Sequence, residues 1–338
     1  LEGIDTVPGV YPGVSPSKCS GTEKRRKYLT MGQYICDDHI TTHNNSLANL
    51  IRGVGERVLY TDKKLTKPSR PVTGVFTARC GVYMQTMALR LGRQSPVTRH
   101  EFVEYYKGRR RSLYQNAVDG LALKPVHVRD SYLSTFIKAE KVNLSLKADP
   151  APRVIQPRNP RYNVEVGKYL LPLEHKVYDA IDELFGSPTI MSKYNSKQQA
   201  EIIVNKWNSF AKPVCIGLDA SRFDQHVSVQ ALQFEHSFYN LLFGSAELRK
   251  LLSWQLDNIG FVKTPIGKFK YTKKGSRMSG DMNTSLGNKF LMCLMAMSYI
   301  KTKQFRIEFV NNGDDCLFLF ESKNLSNITD CQSYFKDF

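Results

Sequence analysis

The stretch "VNNGDDCLFLF", residues 310–320, decides how this sequence is read. It opens with Asn and Gly, which turns favour, continues with the adjacent carboxylates Asp314 and Asp315, and closes in an apolar run. Residues 305–310 and 316–320 both have strand composition, which predicts a hairpin turning at Asn312-Gly313. Paired carboxylates at a hairpin tip repel each other unless water screens them or a cation lies between them. Turn chemistry accounts for the residue types. A site for a hard cation with oxygen ligands accounts for the pairing as well.

The rest of the chain makes paired acids unexpected. Its 338 residues carry 48 Lys plus Arg against 31 Asp plus Glu, a formal net charge of +17. That excess favours an anionic partner, nucleic acid first and an anionic membrane surface second. With 41% hydrophobic residues there is material for a packed core, as one lobed domain or two. The seven cysteines are scattered without a CxxC pair and read as free thiols of a reducing compartment. The seven histidines do not cluster, which argues against zinc. No signal peptide is visible, and the longest apolar helix candidate, 290–300, is too short to span a bilayer. A start at Leu1 and a stop at Phe338 in mid-pattern predict a piece of a longer polypeptide.

Residues 1–30 read as an extended arm ending in a basic run, and 44–59 as a helix. Residues 73–91 read as strand then helix. Residues 97–123 read as a helix in which Tyr105, Tyr106 and Tyr114 flank Arg109-Arg110-Arg111, a composition that suits a single-strand groove as well as a solvated face. Four prolines among the cations of 136–169 predict a largely extended basic segment containing Lys138, Lys141, Arg153 and Arg158. Helices are expected over 173–185, 196–210, 227–242 and 286–300, a short buried strand over 213–218, and a hairpin over 258–274.

Two further motifs bear on the paired acids. In "GLDASRFDQHVS", 217–228, Asp219 ends the buried strand and Asp224 follows beside the next helix, where it would also serve as a plain cap. In "SGDMNTSLGNKF", 279–290, a flexible Ser279-Gly280 loop precedes a helix whose Thr284 and Asn288 share one face. Two Mg²⁺ ions ~4 Å apart can serve an in-line displacement at phosphorus, and they need carboxylates from separate strands. Asp219 and Asp314 meet that need if their strands are neighbours.

The order strand–Asp–x4–Asp, SGxxxTxxxN, GDD resembles the palm of viral RNA-directed RNA polymerases. "PAPRVIQPRNPRYNVEVGKYLLPLEH" (150–175), "YYKGRRRSLYQNAV" and "FIKAEKVN" are similar to the fingers of the plant tombusvirus family, in particular carmovirus-like replicases. The resemblance implies an α+β fold of right-hand fingers and palm, with an antiparallel palm sheet backed by helices and the thumb outside this chain. It divides the chain into an arm and fingers with a basic fingertip segment (1–186), a first palm part (187–226), a fingers insertion (227–272) and a second palm part (273–338). It implies template-directed nucleotidyl transfer from NTPs, with Asp219, Asp314 and Asp315 as catalytic ligands of two Mg²⁺ or Mn²⁺ ions. Asp224 and Asn288 would read the ribose, and Ser279, Gly280 and Thr284 would shape the nucleotide pocket. Lys138, Lys141, Arg153 and Arg158 would line the triphosphate and template entrance. RNA and NTPs are the implied partners, with no DNA. A shorter viral replication protein and a host membrane would engage regions outside this chain, in a membrane-associated complex of the host cytoplasm. Activity would belong to the longer protein.

Three alternatives stay open on sequence. A reverse transcriptase usually has a hydrophobic residue before its paired aspartates and an aromatic against the 2′-hydroxyl, so Gly313 and Asp224 argue against it. A Mg²⁺-dependent nuclease has no need of Asn288. A non-catalytic RNA-binding fragment would use the GDD only as a turn.

Overall fold

The structure, a computed structural model, describes residues 2–28 and 39–338. Six of the twelve described α-helices begin where the sequence supplies a side-chain cap. Ser46 accepts from the Asn49 N–H to start α1 (Leu47–Val54). The next element, α2 (Val75–Leu91), is one uninterrupted helix rather than a strand followed by a helix. The helix expected over 97–123 is two, α3 (Arg99–Glu104) and α4 (Gly108–Leu123), separated where Lys107 is extended. Within 136–169 the extended expectation fails at its end: α5 (Pro160–Leu170) is helical. Pro160 sits at the first helical position, where its missing N–H is not needed, and the Asn159 side chain caps the turn. The remaining helices are α6 (Glu174–Phe185), α7 (Ser196–Asn208), α8 (Phe223–His226), α9 (Val229–Phe243), α10 (Ala246–Ser253), α11 (Thr284–Ile300) and α12 (Cys331–Lys336).

The strands before residue 200 are short: β1 (Gly3–Ile4), β2 (Ser17–Lys18), β3 (Ile40–His43), β4 (Leu133–Ser134), β5 (Phe136–Ile137), β6 (Val142–Asn143) and β7 (Val154–Ile155). The longer ones are β8 (Pro213–Asp219), β9 (Asp257–Thr264), β10 (Gly267–Lys274), β11 (Ile307–Asn312) and β12 (Asp315–Glu321). The fold is thus mixed α and β, with several antiparallel sheets. The expected hairpin over 258–274 is β9–β10. It packs on α1, β5 and β7 through Val262, Phe269 and Tyr271, forming a core separate from the main one.

Alternation builds the sheet that matters for function, ordered β11-β12-β8 and antiparallel throughout. Cys316, Phe318 and Phe320 face the main core, and Tyr299 of α11 stacks on Phe318 at 5.8 Å. Leu319, with Val310, faces a smaller cluster beside α7 that includes Met191 and Phe210. A strand buried on both faces reads as a continuous apolar run, as "CLFLF" does. The third strand, β8, departs from the expected buried strand. It lies at the sheet edge with Val214, Ile216 and Leu218 against the main core and Cys215, Gly217 and Asp219 exposed. Cys and Gly on the open face hide that alternation in the sequence.

Behind the sheet, α11 is apolar on all sides and buried from Leu286 to Tyr299. No helix among the described residues is long and apolar enough to cross a membrane. Six cysteines are described and all are free. Cys36 and the end of the expected N-terminal arm lie outside the described residues.

Candidate active site

The hairpin tip is held more firmly than a surface turn. Asn312 pairs with Asp315, so the two central residues are Gly313 and Asp314, one position later than the sequence predicts. Gly313 has φ 88° while Asp314 is not in the positive-φ region, the pattern of a type II′ turn with glycine first. Asn311 braces it from below. Its Oδ1 accepts from the Gly313 N–H at 3.1 Å, its Nδ2 donates to the Gly313 carbonyl at 2.7 Å, and its own N–H donates to Thr189 O at 2.9 Å. Sequence reasoning passed over Asn311. The available signal was a polar residue in step with Ile307 and Phe309 on the core-facing side of β11.

β12 and β8 are neighbours, as the two-carboxylate reading requires, but the residue directly across from Asp219 is Asp315 rather than Asp314. Like charges directly opposite in a sheet are destabilising. Asp314 instead sits at the turn and lines a cavity of about 320 Å³ together with Asp224. Asp219, Asp314 and Asp315 are all exposed. Among the described residues, no cation pairs with any of the three and no donor hydrogen-bonds their carboxylates, although Asp149, Asp281 and Asp330 each hold Lys or Arg. Three free oxygen-donor groups at one sheet end fit Mg²⁺ or Mn²⁺ in ligand chemistry. Among the described residues no group of three or more His, Cys, Asp or Glu converges into a closed ligand set.

Asp224 and Asn288, 64 positions apart in sequence, meet: Asn288 Nδ2 donates to Asp224 Oδ1 at 2.7 Å. Asp224 Oδ2 accepts no bond among the described residues and Asn288 keeps a second N–H. The pair therefore offers one acceptor and one donor, which suits a hydroxyl that does both. Burial raises the Asp224 carboxyl above the usual aspartate value. The Asn288 hydrogen bond and the Arg277 charge partly offset that, while Asp314 and Asp281 add to it. With its folded pKa raised, Asp224 binds its proton more tightly in the native state, so stability falls as pH rises from the ordinary aspartate range through the raised value. Asp224→Asn is accordingly expected to melt higher than the parent at pH 8, with the gain shrinking toward pH ~4. A lower melting temperature at pH 8, or a difference independent of pH, would contradict this account of Asp224.

The cavity wall also carries cations. Lys138 and Arg153 are brought together by the β5–β7 ribbon, where the Lys138 N–H donates to Arg153 O at 2.9 Å. Both side chains reach the single carboxylate Glu140, at 3.2 and 3.3 Å. Arg57 and Arg222 complete the wall, and neither was singled out from sequence. Arg222 takes a left-handed backbone, φ 55°, and donates to the Glu56 and Thr61 carbonyls. Burial, then the charges of Arg222 and Arg153, push the Arg57 guanidinium down to about 10. Crowded guanidiniums that weaken each other's charge gain from a polyanion between them.

A family model described as viral RNA dependent RNA polymerase matches residues 14–338. The chain belongs to this polymerase family. It is 46% identical over 301 residues to an RNA-directed RNA polymerase of turnip crinkle virus, covering 88% of this chain and 38% of that protein. It is 44% identical over 337 residues to that of tobacco necrosis virus (strain A), covering 98% and 46%, and 43% identical over 338 residues to that of carnation mottle virus, covering 97% and 44%. The tombusvirus and carmovirus resemblance therefore holds, and the chain spans less than half the length of these relatives.

Not every expected residue of this viral polymerase chain reaches the cavity. Arg158 is buried elsewhere: its Nε donates to Asp281 Oδ1, Nη1 to Ser131 O at 2.7 Å and Nη2 to Asn258 Oδ1 at 2.7 Å. It ties the segment before α5 to β9 and to the 276–283 loop, and lies outside the cavity lining. Lys141 is exposed and outside the cavity lining. Ser279 does line the cavity, and its hydroxyl donates to Val154 O at 3.2 Å. Gly280 forms a β-bridge with Pro157, so that end of the loop is pinned rather than flexible. The Thr284 hydroxyl donates to the Met278 and Asp281 carbonyls, closing the loop onto α11, and Thr284 is not among the residues lining the cavity. Tyr114 packs with Phe102 in a local core and Tyr106 lies against it, which leaves Arg109, Arg110 and Arg111 on an exposed face with Tyr105 as the one strongly exposed ring of the three.

Proposed function

We propose that this chain carries the nucleotide-selecting and metal-binding part of a viral RNA-directed RNA polymerase, acting within a longer protein. What supports the reading above all is one cavity lined both by acids, Asp314 and Asp224, and by cations, Lys138, Arg153, Arg57 and Arg222. Such a mixed lining suits a ribonucleoside triphosphate, whose sugar and reacting phosphorus would lie by the acids and whose distal phosphates would lie by the guanidiniums.

The residues would divide the work as follows. Asp219, Asp314 and Asp315 would hold divalent cations, with substrate phosphates completing the ligand set. When bound, two such ions supply the charge that activates the attacking hydroxyl and stabilises the leaving oxygens. A primer 3′-oxygen forms a bond to the α-phosphorus as the bond to pyrophosphate breaks. Arg153 and Lys138 would release Glu140 and take up the charge of the departing pyrophosphate. Asp224 Oδ2 would accept from the ribose 2′-hydroxyl and Asn288 Nδ2 would donate to it. A site built around that hydroxyl rejects a sugar lacking it, because its buried polar groups are then left unpaired. The Lys and Arg excess would serve RNA template and product. Attachment to a host membrane and to a shorter viral replication protein would rest on regions outside this chain.

Steady-state incorporation by the intact polymerase tests the assignment. Replacing Lys138 and Arg153 together by alanine is expected to raise the KM for NTP roughly tenfold or more, two charged hydrogen-bond donors being lost. RNA affinity should stay within about twofold, since two of the chain's 48 cations are removed. An unchanged KM with a marked loss of RNA affinity would identify the cavity as an RNA groove and sink the nucleotide reading.

A further inference from the structure

Beside Asn288 lies a buried ion pair whose arginine, Arg277, also contributes to the cavity lining. Arg277 and Glu235 are paired with both side chains at 0% exposure. The Glu235 carboxylate is saturated: Arg277 donates to both oxygens, and Oε1 also accepts from Asn283 Nδ2 at 2.7 Å and from Tyr239 OH at 2.9 Å. So held, the Arg277 Nε–H donates to Asn288 Oδ1 at 2.9 Å, and the Arg277 backbone N–H donates to the Asp224 carbonyl at 2.8 Å. One arginine thus touches both members of the Asp224–Asn288 pair.

The direction of these bonds matters. A guanidinium has donors and no acceptor, so only the oxygen of the Asn288 amide can face it. The amide nitrogen is then obliged to face Asp224, which lines the cavity. Without that constraint a side-chain amide can turn over, presenting a second acceptor where a donor is needed. The packing is built around the ion pair. Gly287 lies inside α11, where glycine costs roughly 1 kcal/mol against alanine, and a Cβ there would come within 2.3 Å of Arg277 Nη2 and 2.4 Å of Glu235 Oε1. Buried ion pairs are often no more stabilising than apolar replacements, so stability alone does not account for this one.

We propose that Arg277, anchored by Glu235, is a positioning residue for sugar selection: it locks the Asn288 amide with its donor toward the 2′-hydroxyl of the incoming nucleotide. The proposal rests on the reading of Asp224 and Asn288 as the ribose-binding pair.

The test compares kcat/KM for a ribonucleotide and its 2′-deoxy counterpart, each added opposite the same template base by the intact polymerase, in Arg277→Lys, Asn288→Ala and the double variant. Lysine can still meet Glu235 but offers no Nε–H to Asn288. Arg277→Lys is expected to lower the ribo-over-deoxy preference at least tenfold, through loss of ribonucleotide incorporation. The double variant should discriminate no worse than Asn288→Ala alone. If Asn288→Ala keeps the full preference, the ribose reading itself falls and the proposal with it. If Asn288→Ala loses the preference but Arg277→Lys keeps it, the ribose reading stands and the positioning role is overturned. Equal losses for both sugars in Arg277→Lys, or additive losses in the double variant, also overturn it. Should Arg277→Lys fail to fold, Glu235→Gln removes the anchoring charge at constant size and carries the same readout, and an undiminished preference there is equally decisive.

Discussion

Asp314→Asn in the intact polymerase is expected to reduce nucleotide incorporation by roughly 10²- to 10³-fold, the scale seen when one preorganised charge-stabilising group is removed from a reaction centre. RNA affinity should be unchanged. Asp219→Asn should behave alike. The size of the effect follows from where the groups sit. Asp314 is carried at the tip of a turn that Asn311 holds by two side-chain hydrogen bonds and by a third to Thr189 O. Asp219 is carried at the end of a strand registered against Asp315. None of the three carboxylates has a cation partner among the described residues, so a neutral amide removes nothing the fold uses. The substitutions should not lower the melting temperature, and removing a like charge opposite Asp219 favours Asp315→Asn in particular. Incorporation and RNA binding measured side by side decide the matter. Incorporation surviving in Asp314→Asn would make the hairpin an ordinary turn and leave the RNA-binding alternative standing.

Arg158→Met is expected to give the largest loss of stability, about 3–5 kcal/mol, the usual penalty for removing one partner of a buried ion pair. Arg158 and Asp281 have side chains 1% exposed each, and the same guanidinium also satisfies Ser131 O and Asn258 Oδ1. Methionine fills much of the volume but leaves an unpaired carboxylate and two acceptors in the interior. Urea denaturation should register the loss as an earlier midpoint at an unchanged slope. Adding Asp281→Leu should recover part of it, because the stranded charge goes with it. A midpoint unmoved by Arg158→Met would mean that the cation is dispensable to the fold, and would reopen a role at the entrance. The contrast with Lys138 and Arg153 is direct: their removal should cost binding and little stability, since both are partly or largely exposed and meet Glu140 in open pairs.

Arg153 and Arg158 also mark the boundary of what could be read without coordinates. Five positions apart in one basic, proline-rich segment, they look alike in sequence, and both read as entrance cations. One lines the cavity and the other is a buried clip, because burial depends on which distant elements close over a side chain. For Arg158 these are β9 and the 276–283 loop, whose Asn258 and Asp281 lie 100 and 123 residues downstream. Arg57, Arg222, Glu235 and Arg277 escaped notice for the same reason: each acquires its place only through partners far along the chain.

By itself the sequence determined the hairpin, the apolar helix behind it, and the three motifs in their order, since these rest on local period and turn chemistry. It also determined that Asp224 and Asn288 belong together, through resemblance and not through geometry. Only the tertiary structure decided that Asp315 rather than Asp314 stands opposite Asp219. Register in a sheet changes faces with every single-residue step, and the pairing of β12 with β8 joins segments far apart in the chain, which the local β11–β12 turn does not fix. It alone decided which of many similar cations line one cavity together with the acids, because like residues are distinguished only by the neighbours that fold against them.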